Sequence, residues 1–246
     1  MRTKKAKQPS ASSTVSAASP ALTRVYSWFS ALEQEDMALL EDLLAHGVPI
    51  DVPHPLHHTT ALMEAARRGR TRTVEWLLVR GAAPAILGGM PLGTALHSAI
   101  RRQHWAVAAL LLAAMDSAAV IDGYGRTPLH LLAMEPTTHA DADEHILALA
   151  EASLAKLCPL DTLDHEGTTA LHHTIINDHL PLARVLLAHG ANPNALIPDS
   201  WVSPLAIAAL EKNLPAARLL MEYGANPQLT TREGSSPATL WPAILT

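Results

Sequence analysis

The sequence predicts an all-α chain made of a repeated two-helix unit, and three observations carry that prediction. A Thr or Ser, then Pro or Ala, then in most copies Leu recurs at Thr60, Thr94, Thr127, Thr169, Ser203 and Ser236, at successive steps of 34, 33, 42, 34 and 33 residues. Between these lies a second signal, a Leu-Leu pair ahead of a glycine, which ends at Gly47, Gly81, Gly190 and Gly224. From each of these glycines the next marker Thr or Ser is 12 or 13 residues on, and the first such stretch after a full unit, Pro84 to Gly93, is rich in Gly and Pro. Chance does not hold a period over five intervals, and periods of this length mark stacked repeats.

Each unit reads the same way. A Thr or Ser hydroxyl caps a helix N-terminus, and Pro at the first helical position lacks only an N–H that would be unbonded there. In the second unit that helix covers Ala61 to Arg68 and breaks at Gly69. A second helix follows, with Val74, Leu77 and Leu78 on one buried stripe. Gly81 ends it, because a left-handed residue after a helix costs glycine nothing. Thr60, Thr94, Thr127, Gly47, Gly81, Gly190 and Gly224 are therefore structural residues.

Taken in order, residues 1–21 read as a disordered tail. It carries Arg2, Lys4, Lys5 and Lys7, no acidic residue occurs before Glu33, and no apolar stretch follows of the kind a secretory signal needs. The first unit, 22–51, lacks the Thr-Pro cap; it places Tyr26, Trp28 and Phe29 in its first helix and Met37–Ala45 in its second. The next units are 52–86, 87–120, 121–162, 163–195 and 196–228, and a partial unit covers 229–246. The 42-residue step inserts residues 136–145 between the helices of the fourth unit. Pro136 should stop its first helix, and the second should run over about Asp143–Leu157. No glycine follows the second helix of the third or the fourth unit, so both helix ends are expected to be poorly terminated. Pro242 cannot donate an interior helix bond, so the last helix should be short or kinked.

Composition narrows the function. The 246 residues carry a formal charge of −5, which argues against a general nucleic-acid coat. Hydrophobic residues make up 48% and aromatics only 4%, so Leu, Ala and Val must do the packing. Cys158 stands alone, which excludes an intrachain disulfide and a thiolate metal cage. No apolar run reaches the ~18 residues that a membrane span requires.

The marker Thr127-Pro128-Leu129-His130 and the marker Gly190-Ala191-Asn192-Pro193-Asn194 resemble those of ankyrin repeats, and the resemblance extends over roughly residues 22–246. It implies a solenoid of stacked helix-turn-helix units with protruding β-hairpin-like loops. It implies that His97, His130 and His172 bond to the capping Thr and to the neighbouring turn. It further implies a non-enzymatic module that binds a partner protein on the concave face, with no cofactor and no metal. Inhibitor or immunity-type protein, delivered effector and scaffold all fit. A cytoplasmic location is expected, or delivery into another cell or organelle through the tail.

By the same resemblance, the partner-binding residues are Arg67, Arg68, Arg70, Met90, Arg101, Arg102, His104, Tyr124, Arg126, His165, Glu166, Asp199, Trp201 and Glu211. Arginines gather over the second to fourth units and carboxylates over the later ones, so a partner should bring an acidic patch to the arginines. Binding of RNA or phosphoinositide through the same cluster is the alternative. Trp201, Tyr124 and Met90 stand at turn tips as candidate anchors. His54, His57 and His58, and the group His139, Asp141, Asp143, Glu144 and His145, read as solvated loops rather than metal sites. Cys158 reads as a packing thiol.

Overall fold

The computed structural model describes residues 19–135 and 140–245 of the chain. It divides into two compact units, one through Val48 and one from Pro49 onward. The first holds α1 (Pro20–Gln34) and α2 (Met37–Ala45). Helix α1 begins inside the stretch read as tail, because Ser19 Oγ accepts from the Leu22 amide and Pro20 takes the first helical position. The rest of that tail, residues 1–18, lies outside the described residues. Trp28, Phe29, Ala31 and Leu32 are buried, and Asp36 caps α2 by accepting from the Leu39 amide.

The second unit stacks five helix pairs and a final short helix. They are α3 (Ala61–Arg67) with α4 (Thr71–Val79), α5 (Ala95–Arg101) with α6 (Trp105–Ala114), α7 (Pro128–Met134) with α8 (Ala140–Ala155), α9 (Ala170–Ile176) with α10 (Leu180–Ala188), α11 (Pro204–Leu210) with α12 (Leu214–Glu222), and α13 (Pro237–Leu240). The cap residue before each first helix is Thr60, Thr94, Thr127, Thr169, Ser203 or Ser236, in extended backbone. Among the described residues no strand forms. A single antiparallel bridge, Gly88 to Gly93, closes one loop. The core runs along the stack through Leu62, Leu77, Leu96, Leu111, Leu129, Ile146, Leu171, Leu186, Leu205 and Leu220, all fully or almost fully buried. Each such leucine removed from water contributes roughly 1.5–3 kcal/mol.

Two departures from the regular unit have local causes. Helix α8 has 16 residues where α4 has 9, and it begins three residues before the expected Asp143. The inserted segment therefore lengthens this helix in part rather than forming a loop throughout; residues 136–139 lie outside the described residues. The two helix ends without glycine are completed by each other. Helix α6 stops with Met115 extended, and its carbonyl is taken by Lys156 Nζ at 2.8 Å. The Ala118 amide in turn donates to the Lys156 carbonyl at 2.8 Å. Helix α13 ends at Leu240, and a 3-10 turn, Pro242–Leu245, follows, as the missing proline N–H requires.

Candidate partner-binding face

The loops between helix pairs are joined tip to tip. The Gly89 amide donates to the His58 carbonyl, Gly123 to Leu92, His165 to Tyr124 and Arg232 to Ser200, at 2.7 to 3.0 Å. Two loops are folded around an aspartate. Asp122 Oδ1 accepts from the amides of Tyr124 and Arg126. Asp164 Oδ1 accepts from the amides of Glu166 and Thr168 and from the Thr168 hydroxyl. This bonding holds large apolar side chains outward at the tips. Met90 is 91% exposed, Leu56 68%, Trp201 51% and Tyr124 46%. Trp201 has a left-handed backbone, φ 56°, where glycine would be unstrained.

Most of the arginines expected to meet a partner already have one within the chain. Glu64 accepts from Arg67 and from Arg68, the shortest contact of each being 2.6 Å. These bonds hold the Glu64 carboxyl below the usual carboxylate range, against the opposing effect of burial. Arg101 Nη2 donates to the buried Asp122 carboxylate. Arg126 lies 3.2 Å from Glu166 and 3.8 Å from Asp164, and its guanidinium sits over the Tyr124 ring at 5.0 Å. Arg70 precedes α4 with no side-chain cap bond, though it has a further interaction within the chain. Arg102 is exposed and has no carboxylate partner among the described residues. The sequence suggested arginines segregated from carboxylates; the geometry interleaves them.

The remaining residues expected at the site differ in exposure. His104 is half-buried; its ring packs over Gly69, and its Nε2 lies 3.2 Å from the Arg67 carbonyl, so it ties two units together. His165, Asp199 and Glu211 are exposed.

A family model for ankyrin repeats in three copies matches residues 28–119, 62–153 and 142–231. The chain belongs to the ankyrin repeat family. A protein of Rickettsia bellii (strain RML369-C) named for ankyrin repeats is 26% identical over 105 residues, 43% of this chain; the match spans 29% of that protein's length. The crystal structure of the ankyrin repeat domain of Bcl-3, a member of the IkappaB protein family, superposes with a TM-score of 0.72 at 24% identity, over 93% of this chain and 98% of that one. An ankyrin repeat domain of Acinetobacter baumannii AYE gives 0.70 at 23% identity, over 82% and 99%. Ankyrin repeats are protein–protein interaction modules and generally non-enzymatic. No helix of the described residues is long and apolar enough to cross a membrane.

Three ankyrin units carry the cap histidine. His97, His130 and His172 place Nδ1 2.8 to 2.9 Å from the Oγ1 of Thr94, Thr127 and Thr169. Their Nε2 atoms reach the carbonyls of Arg126, Thr168 and Val202 in the next unit at 3.2 to 3.4 Å. Burial pushes His97 and His172 down to about 4 and lowers His130, so all three rings are neutral near pH 7. His173 lies 2.9 Å from Asp164 and 2.8 Å from the Thr168 hydroxyl. Although burial works to raise it, the bonds from His173 and Thr168 hold the Asp164 carboxyl below its ordinary value.

Burial pushes the Cys158 thiol up to about 11, which suits packing rather than attack. Among the described residues no group of three or more His, Cys, Asp or Glu could hold a metal. His54 and His57 stack at 4.6 Å, and His54 Nδ1 accepts from the amides of Leu56 and His57. His139 and the Asp141 side chain lie outside the described residues. Sequence reasoning missed Asp122, Asp164 and His173. A signal existed: an Asp five residues before the capping Thr occurs at both Asp122–Thr127 and Asp164–Thr169.

Proposed function

We propose that the repeats from Val52 onward bind a partner protein through the face formed by the turn tips and the ends of the first helices. The observation that carries this reading is the set of exposed apolar side chains at four of the tips, with Met90 at 91% and Trp201 at 51% exposure. Exposed aromatic and Met side chains on hydrogen-bonded loops are the usual anchors of protein interfaces. An acidic group of the partner would face Arg102. Inhibitor, delivered effector and scaffold all use such a face, and a cytoplasmic setting belongs to the same reading. The pairing of Arg67, Arg68, Arg101 and Arg126 within the chain weighs against RNA or phosphoinositide as the ligand, because each paired cation releases fewer counterions.

The test is affinity capture from the native cell, read by mass spectrometry, with the full chain and with a Met90→Glu, Arg102→Glu, Trp201→Glu triple variant. The wild type should retain one partner that the variant loses, at an unchanged melting temperature. Equal recovery by both would reject this face.

A further inference from the structure

The grooves between successive first helices are filled differently along the stack. Between the third and fourth units the filling is an ion pair. Arg101 stands seven residues after the cap Thr94, and Asp122 stands five before the cap Thr127. The guanidinium donates to a carboxylate whose side chain is 0% exposed. At the last groove the same two positions are Leu210, seven after Ser203, and Thr231, five before Ser236. Leucine offers no donor, and the groove stays open as a cavity of about 330 Å³.

The chemistry of this cavity is one-sided. Val202, Leu210 and Leu240 give it apolar walls, and Asp199 and Glu233 also line it. Both acids are exposed, and neither has an ion pair or side-chain bond among the described residues. Arg232 lines it as well, with Nη1 donating to the Asp199 carbonyl at 3.2 Å. The cavity therefore keeps an acidic excess beside aliphatic walls. An arginine meets both demands: its methylene stem covers apolar surface while its planar fork pairs with carboxylates.

We infer that this groove receives an arginine side chain of a partner's peptide segment, in the way Arg101 fills the earlier groove from within the chain. The stem lies against Leu210 and Val202, and the guanidinium faces Asp199 and Glu233. This rests on the partner-binding reading above and adds the chemistry of the partner at the C-terminal end of the stack.

The probe is the peptide acetyl-Gly-Ser-Arg-Leu-Gly-Ser-amide, titrated into the isotope-labelled full chain and followed by NMR. The expected result is saturable shifts at the Ser200, Val202, Thr231 and Ser235 amides. Replacing the peptide's Arg with Glu should weaken binding about tenfold or more, the scale of one charge-assisted pair. An Asp199→Asn, Glu233→Gln double variant should lose a similar factor. Leu210→Arg refills the groove from inside, at a position 59% exposed, so it should block the peptide while leaving the melting temperature unchanged. Equal binding of the Arg and Glu peptides, or undiminished binding to the Leu210→Arg variant, overturns the inference. A captured partner that Leu210→Arg leaves intact and the Met90, Arg102, Trp201 triple variant removes would end the inference and keep the binding face. Failure of the wild type to capture any partner would end both.

Discussion

In the third, fourth and fifth units the third residue of the first helix is His97, His130 or His172; in the second and sixth it is Met63 or Ala206. The histidines have two ends. One ring nitrogen completes the unit's own cap and the other reaches a carbonyl in the next loop. Met63 keeps only the first function, its sulfur lying 3.4 Å from the Thr60 amide, and Ala206 keeps neither. Each junction in the middle of the stack thus gains a buried histidine bond that the junctions after the second and sixth units lack; those keep the tip-to-tip amide bonds and apolar contact. In a stack where each repeat touches only its neighbours, such interface terms decide where opening starts.

The largest expected consequence is acid sensitivity. Burial pushes His97 and His172 from 6.5 down to about 4. Between those values the unfolded chain binds protons that the folded rings refuse. Their contribution is therefore intact above pH 6.5 and is lost as pH falls towards about 4, on the order of 3 kcal/mol for each ring. Urea unfolding at pH 7 and pH 5 checks it, and equal midpoints would mean that the rings protonate in place. His130→Ala should follow in size. It leaves the Thr168 carbonyl and the Thr127 amide without these partners in a fully buried site, at a cost of about 3 kcal/mol. A change under about 1 kcal/mol would show that the His130 bonds add little to the junction of the fourth and fifth units.

His97→Met sharpens the comparison, since it copies the second unit into the third. Methionine keeps the burial and, as at Met63, a sulfur for the cap amide; it loses the bonds to the Arg126 carbonyl and the Thr94 hydroxyl, so the cost should be roughly 1–2 kcal/mol. The variant should also unfold with a weaker pH dependence than the wild type.

The repeat was legible in the sequence because its signals are local. A capping hydroxyl needs only its own helix, and every first helix from α3 to α11 begins directly after the Thr or Ser that marks it. The tip residues were legible for the same reason. What the sequence hid depends on partners in other units. Arg101 and Arg126 read as free cations until the fold brings Asp122, Asp164 and Glu166 beside them. The start of α8 at Ala140 was hidden too. Pro136 marks where one helix must stop, and the Ala- and acid-rich residues after it set where the next begins.

The smallest effect concerns the helix ends that lack glycine. Gly190 and Gly224 take left-handed backbone, φ 94° and 86°, after α10 and α12. After α8 the same turn is made by Leu157 at φ 62°, with a side chain 77% exposed. Its bonds are already in place: the Leu157 amide donates to Leu154, and the Cys158 amide to Ser153, both at 3.0 Å. Leu157→Gly therefore relieves a strain of about 1 kcal/mol and gives up little burial, while the added freedom of the unfolded chain offsets part of the gain. A net stabilisation of roughly 0.5 kcal/mol is expected, seen as a small rise in urea midpoint with an unchanged slope. Lys156, one residue earlier, supplies the ammonium that finishes α6, so a fall in stability instead of a rise would mean that Leu157 also holds that lysine in place.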